Sequence, residues 1–198
     1  MKTLLINPPE NTESNMSLRL KLPPLGILYI AAYLEKSGFP VEILDANFSS
    51  DTPEKAAQEA VKTNPGIVGL TATAVTLKNA LDLIRSIKAA NPGVITVIGG
   101  PHVTYLPSET LGVCPELDIV VIGEGEETTL ELARALKGFS PDYGRRDSVT
   151  DFSSRIKGVK GIAYRGSNDP GDIRITPPRP PIEDLDSIPF PARHLVSL

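Results

Sequence analysis

The chain has 198 residues, a formal net charge of −4, and 22% charged residues of both signs scattered along its length. That allows one substantial core plus an appendage. It argues against a nucleic-acid surface, because no basic cluster exceeds a pair such as Arg145-Arg146. No apolar run approaches the roughly 18 residues of a membrane span, and the N-terminal apolar stretch is too short for a signal peptide. A single cysteine, Cys114, and two histidines, His102 and His194, leave no disulfide framework and no cluster of metal ligands. A cytoplasmic protein is expected.

Thr3–Asn7 reads as a first strand. Leu25–Ser37 carries apolar residues on a helical period and ends at Gly38, a natural cap. Val41–Asp45 is a second strand. Pro53–Thr63 is helical, with proline in its first turn and Asp51 or Thr52 as the N-cap. Ile67–Ala72 lacks polar alternation, as expected of a parallel strand buried on both faces.

Leu77–Ala90 is an amphipathic helix closed by Asn91-Pro92-Gly93. Val94–Ile98 and Asp118–Ile122 are the fourth and fifth strands, with only a short helical turn over Ser108–Val113 between them. Glu126–Lys137 is the last long helix. Strands alternating with helices imply right-handed crossovers. The fold class is therefore α/β, a doubly wound five-stranded parallel sheet of flavodoxin-like order 2-1-3-4-5, with its ligand crevice at the carboxyl ends of the strands.

After residue 138 the pattern changes. Residues 139–157 are polar and read as a long loop. Val159–Arg165 and Asp172–Thr176 flank a Gly166–Gly171 turn and read as a β-hairpin outside the main sheet. Thr176–Pro181 is a stiff, extended spacer. Residues 1–138 are thus expected to form the ligand-binding domain, and 139–198 a loop, hairpin and proline-rich connector.

Small and turn-forming residues collect after strands one, three, four and five. They are Asn7-Pro8-Pro9 with Pro23-Pro24-Leu25-Gly26, then Thr71–Thr76, then Gly99-Gly100-Pro101-His102, then Gly123-Glu124-Gly125-Glu126. Glycine admits close backbone approach, and hydroxyls beside helix starts bond amides or phosphate. Any one such turn is ordinary in an α/β protein; four on one rim point to a large ligand. The dinucleotide Gly-x-Gly-x-x-Gly and the phosphate-loop Gly-Lys-Ser/Thr are both absent.

Read together and in order, Asn7-Pro8-Pro9, Pro23–Leu34, Val97–His102 and Asp118–Glu126 resemble the N-terminal cobalamin-binding domain of class B (cobalamin-dependent) radical S-adenosylmethionine enzymes. Ile182–Arg193 resembles the connector into that family's radical domain. The resemblance implies cobalamin across the strand carboxyl ends, with its nucleotide tail buried in the α/β domain. It implies contacts from Pro8, Pro9, Leu25, Gly26, Thr71, Thr73, Thr76, Gly99, Gly100, His102, Gly123, Glu124 and Gly125.

The resemblance further implies a C-terminal radical S-adenosylmethionine domain holding a [4Fe–4S] cluster and S-adenosylmethionine, and methyl transfer by the whole enzyme. The Cys-x-x-x-Cys-x-x-Cys of that domain does not occur here, so no iron and no turnover are expected of this chain alone. Nor does the Asp-x-His-x-x-Gly signature that supplies an axial histidine in methionine-synthase-like domains; Asn7–Thr12 stands in its place, and the lower axial ligand stays open.

His102 reads as a hydrogen-bonding or nucleotide-contacting loop residue rather than a cobalt ligand, and Glu124 and Glu126 as acids favoured by a helix start. Cys114 reads as a small buried hydrophobe. Two other functions stay open on residues alone: a flavin- or nucleotide-binding flavodoxin-like protein, and an assembly domain with no small ligand. Replacing Gly100 by valine is expected to weaken binding and leave the fold intact.

Overall fold

The computed structural model describes residues 1–10, 22–49, 52–139, 146–167, 169 and 171–196. Strand β1 (Thr3–Asn7) lies between β2 (Val41–Asp45) and β3 (Ile67–Thr71), both parallel to it. β4 (Ile95–Gly99) and β5 (Ile119–Val121) extend the sheet in parallel beyond β3. This stretch has the expected order 2-1-3-4-5.

The crossovers are α1 (Leu25–Lys36), the short α2 (Ala46–Ser49) with α3 (Pro53–Lys62), α4 (Leu77–Ala90), and α5 (Pro101–Tyr105) with α6 (Pro107–Val113); α7 (Glu126–Ala135) follows β5. Thr52 caps α3, its hydroxyl accepting from Lys55 N, and Pro53 opens the helix. Asp51, the other candidate cap, lies outside the described residues.

The sheet does not stop at five strands. Among the described residues it has seven, in the order β2-β1-β3-β4-β5-β6-β7. β6 (Ile162–Arg165) pairs antiparallel with β5, and β7 (Ile173–Ile175) with β6. The sheet is therefore mixed, and the hairpin belongs to it rather than lying outside.

The reason is the edge of β5. Ile119, Val120 and Val121 are buried, and an open row of N–H and C=O groups beside them is a liability that a further strand removes. Ile162, Ala163 and Tyr164 are buried in turn, so β6 is an interior strand covered on both faces. The Arg165 guanidinium donates to the carbonyls of Leu111 and Cys114, tying β6 to the end of α6.

The expected loop at 139–157 holds helix α8 (Arg146–Ile156). Phe152 and Ile156, one turn apart, are buried against the sheet; Phe152 stacks on Phe139 with ring centroids 5.9 Å apart. A long polar segment with two anchors at helical spacing is enough when a β-sheet face waits to be covered.

The two faces of the sheet are packed differently. One carries a continuous core of Leu4, Ile6, Val68, Leu70, Ile98 and Val120 under α3, α4 and α6. On the other the core is split. One part gathers Leu5 with Ile27, Ala31 and Leu34 of α1; the other gathers Val97 and Val121 with Leu132 of α7, Leu136 just beyond its end, and Phe152 and Ile156 of α8. The site lies at that division.

Candidate functional site

Between the two halves of the divided core runs a cavity of about 280 Å³. Its wall on the sheet side is built from alternate residues, which point to one face of a strand. Thr3 and Ile67 are register partners, as are Leu5 and Gly69, Gly69 and Val97, and Thr71 and Gly99. Three such rows, from Thr3–Ile67 to Thr71–Gly99, span four residues of strand, or about 13 Å. The opposite wall is Gly26, Ile27 and Ile30 of α1 and Glu126, Thr129 and Leu132 of α7. The cavity is thus a slot that enters between the helices at the rim and runs down the sheet.

Glycine makes the slot. Gly69 sits in the middle of a buried strand where a Cβ would come 2.9 Å from Leu5 Cδ2. Gly99 sits one row nearer the rim, where a Cβ would make only an ordinary 3.6 Å contact with Val121 Cβ. Side chains at these two points would fill the space between the core halves.

Gly100 is different in kind. Its φ of +111° belongs to glycine, and a Cβ there would lie 2.7 Å from the Ala72 carbonyl oxygen and 2.9 Å from its nitrogen. Gly100 is therefore required by the β3–β4 junction itself. The expectation that Gly100→Val spares the fold is corrected: the added side chain strikes backbone.

Seven of the sequence-predicted residues line the slot or its mouth: Gly26, Thr71, Gly99, Gly100, Gly123, Glu124 and Gly125. The other six lie around it. Pro8 and Pro9 are buried in the β1–α1 connection, where the buried Asn79 of α4 donates to the Pro9 carbonyl at 2.8 Å. Leu25 is exposed at the start of α1, and His102 is half-buried on α5.

Thr73 and Thr76 close on each other, Thr76 Oγ1 accepting from Thr73 N at 2.9 Å and lying 3.1 Å from Thr73 Oγ1. Thr76 is thereby spent on shaping the turn. Thr104 Oγ1 accepts from Gly123 N at 3.2 Å and so joins the two glycine turns of the rim.

The acidic residues beside the mouth have local partners. Glu124 accepts from the backbone N–H of Ile182 at 2.9 Å. Glu127 and Glu131 receive the guanidinium of Arg179, whose side chain is only 7% exposed and which also donates to Thr128 Oγ1 at 2.8 Å. The proline-rich segment is therefore docked on α7. Further along, Ala192 N donates to the Leu28 carbonyl and Lys36 Nζ to the Ser187 carbonyl, which fastens the tail along α1. A second hollow, bounded by Tyr29, Glu124, Glu126, Ile188 and Phe190, opens beside the slot mouth.

Elsewhere, burial pushes the Cys114 thiol up to about 11, well away from a reactive thiolate. Burial also lowers the Lys88 ammonium, partly countered by Asp118 at 2.7 Å. Both lie away from the slot. Among the described residues no group of three or more His, Cys, Asp or Glu is placed to hold a metal ion, and no helix is long and apolar enough to cross a membrane.

Size and chemistry test what the slot fits. A volume of about 280 Å³ falls just below the range of small-molecule pockets, roughly 300–1,000 Å³. It suits one arm of a large ligand whose bulk rests on the rim. Among the described residues the lining contains no aromatic ring to stack on a flavin. It does contain a long apolar trench with glycine turns at its entrance, which suits the aromatic nucleotide tail and broad macrocycle of cobalamin.

Sequence reasoning missed Gly69, Ile27, Ile30 and Thr129 as lining residues, and Arg179 as the clamp. Gly69 alone carried a signal: a glycine inside the apolar run Ile67-Val68-Gly69-Leu70 marks a close approach or a missing side chain.

Comparison with known proteins agrees with this geometry. The chain is 35% identical over its full length to an uncharacterized methyltransferase of Pyrococcus horikoshii, covering 39% of that protein. It is 33% identical over 95% of its length to an anaerobic magnesium-protoporphyrin IX monomethyl ester cyclase of Rubrivivax gelatinosus, covering 32% of it. The chain thus spans well under half the length of these curated relatives.

Among solved structures, the radical S-adenosylmethionine methyltransferase TsrM of Kitasatospora setae, with cobalamin and a [4Fe–4S] cluster bound, matches at a TM-score of 0.68 and 21% identity over 92% of this chain and 30% of that one. This likeness is one of fold. The family model for the B12 binding domain matches residues 15–133, which take in most of the rim and both glycine turns that frame the slot. By that match, and by a slot and rim of the right kind, this chain belongs to the B12 binding domain family.

Proposed function

We propose that this chain is the cobalamin-holding module of a larger cytoplasmic radical S-adenosylmethionine enzyme, a methyltransferase when whole. The observation that carries the reading is the 13 Å slot between the two core halves, opening on a rim of glycine turns. The slot would take the nucleotide arm. Gly26, Gly123 and Gly125 would let the corrin edge lie close to backbone, Gly99 keeps the slot open for the arm, and Thr71 offers a hydroxyl at the entrance. Cobalamin supplies a cobalt centre able to accept and hand on a methyl group; the part of this chain is to bind, orient and shield it.

The whole protein's chemistry is inferred from relatives. Two of them are a methyltransferase and a magnesium-protoporphyrin ester cyclase, and both are far longer than this chain. The sheet through β7, with the helices that cover it, would be the cofactor-holding body, and the proline-rich segment from Thr176 onward the connector toward a radical domain carrying the [4Fe–4S] cluster and S-adenosylmethionine. In support, the docked tail presents Phe190, 95% exposed, and Leu185, 67% exposed, beside the slot mouth, an apolar surface suited to a further domain.

The test is a visible-absorption titration of the purified chain with hydroxocobalamin, followed by desalting. A saturable one-to-one spectral change that survives desalting is expected, with none for flavin mononucleotide. Loss of all colour on desalting, with no spectral change during the titration, would refute the proposal.

A further inference from the structure

This inference rests on the proposed placement of the nucleotide arm in the slot and asks which arm the slot accepts. Cobamides share the corrin and differ in the base at the end of the arm, which is a benzimidazole, a phenol or a purine. The deep part of the slot is walled by Leu5, Ile27, Ile67, Val97 and Leu132, all almost fully buried. Among the described residues one polar side chain lies at that depth, Thr3, 1% exposed at the start of β1.

The remaining polar lining groups stand toward the rim. Thr71 is in the outermost row. Thr129 Oγ1 lies 3.9 Å from where a Gly125 Cβ would sit, and Glu124 and Glu126 flank the same turn.

We propose that the slot selects cobamides by their lower base, accepting benzimidazole and phenolic bases and disfavouring adenine. Relative to benzimidazole, adenine adds an exocyclic amine and two six-membered-ring nitrogens, all hydrogen-bonded in water. In the slot a single hydroxyl can serve at most two of them, and a buried polar group left unpaired is costly. Dimethylbenzimidazole and cresol present methyl and ring carbon at the corresponding edge, which suits branched aliphatic walls. Apolar pockets reject an added polar group less sharply than polar sites reject a missing one. The expected discrimination is therefore on the order of 10–100-fold, not more.

The experiment measures dissociation constants of the 198-residue chain by spectral titration with four corrinoids. These are hydroxocobalamin, a phenolic-base cobamide, adeninylcobamide, and cobinamide, which has no nucleotide arm. With each corrinoid in its dicyano form, in which no lower base is bound to cobalt, cobalamin and the phenolic cobamide are expected within a few-fold of each other, with adeninylcobamide at least tenfold weaker. Adeninylcobamide binding as tightly as cobalamin would overturn the inference while leaving the proposed function standing. Binding of none of the four would sink the proposed function itself.

The variant Val97→Thr, nearly isosteric, places a second hydroxyl on the deep wall and is expected to narrow the gap between the two bases severalfold. Far-UV circular dichroism and a melting curve serve as folding controls. An unchanged gap in folded Val97→Thr protein would show that the deep wall does not read the base and would overturn the assignment. Should that variant not fold, Thr3→Val at the opposite edge is expected to widen the gap, and a gap left unchanged there overturns it equally.

Discussion

Filling the slot without disturbing its frame is the sharpest perturbation available, and Gly99 is the position for it. A Cβ at Gly99 meets only Val121 Cβ, at an ordinary 3.6 Å, and its φ is not of the glycine-only kind. A leucine there projects four carbons into the row between Thr71 and the slot mouth. An aromatic base entering the slot buries on the order of 150–250 Å², worth roughly 4–6 kcal/mol at about 25 cal/mol per Å².

Forfeiting a third of that, about 1.3–2 kcal/mol, weakens binding roughly tenfold to thirtyfold, since each 1.4 kcal/mol is about a factor of ten. Gly99→Leu is therefore expected to raise the dissociation constant for hydroxocobalamin by roughly tenfold to thirtyfold, and Gly99→Ala by much less. Cobinamide affinity should not change. Spectral titration provides the constants and circular dichroism the folding control. A folded Gly99→Leu chain that binds cobalamin as the parent does would remove the nucleotide arm from the slot, and the reasoning with it.

Three further outcomes follow from the same geometry. Gly100→Val should lower stability by about 1–3 kcal/mol or more, because its Cβ meets Ala72 backbone and its φ is +111°; thermal melts of Gly99 and Gly100 variants side by side would separate the two roles. Arg179→Ala should loosen the tail, costing about 1–2 kcal/mol once the half-exposed Glu127 and Glu131 are allowed for, and limited proteolysis should then cut between residues 177 and 192 sooner than in the parent.

Cys114, with its thiol pushed up to about 11 by burial, should resist iodoacetamide at pH 8 until the chain is unfolded in urea. Its raised value also gives a sign to the alkaline limb. The unfolded thiol ionises first, so its contribution to stability is complete below about pH 9 and is lost as pH rises toward 11. Urea melts at pH 8 and 10.5 should show the parent losing stability relative to Cys114→Ala, and a parallel fall in both would contradict the buried-thiol account.

Periodicity and turn chemistry made the first five strands and α1, α3, α4 and α7 legible, because a doubly wound sheet repeats one local rule, whereas α5 (Pro101–Tyr105), which carries His102, read as loop. Ile67-Val68-Gly69-Leu70 has no polar alternation and can only be an interior strand. Legibility faded where an element depends on a remote edge. The residues of β6 look like half of a free hairpin; only the exposed flank of β5 makes Ile162, Ala163 and Tyr164 an interior strand. Helix α8 has low apolar content and exists because Phe152 and Ile156 cover the same extension of the sheet. Arg179, inside a run of prolines, carried no local sign of the carboxylates on α7 that bury it.

The glycines show why the site was legible only in part. A turn glycine and a space-making glycine look alike in sequence, yet they answer to different constraints. Gly100 and Gly123, at φ of +111° and +80°, satisfy the backbone at the ends of β4 and β5, and any protein with these turns would keep them. Gly69 and Gly99 sit in strands with unstrained backbone; a side chain fits at Gly99 with an ordinary contact and at Gly69 once Leu5 Cδ2 moves aside, and either would help join the two halves of the core.

Leaving that core divided forfeits apolar burial that one or two side chains could supply at roughly 1.5–3 kcal/mol each. A fold that needed only its own stability would close the gap. Keeping it open is sensible only if a ligand closes it, and the stability that is missing from the free chain then returns on binding. In the proposed reading the divided core and the binding site are one feature, and the residue that distinguishes it from an ordinary α/β rim is Gly69, the glycine with no turn to make.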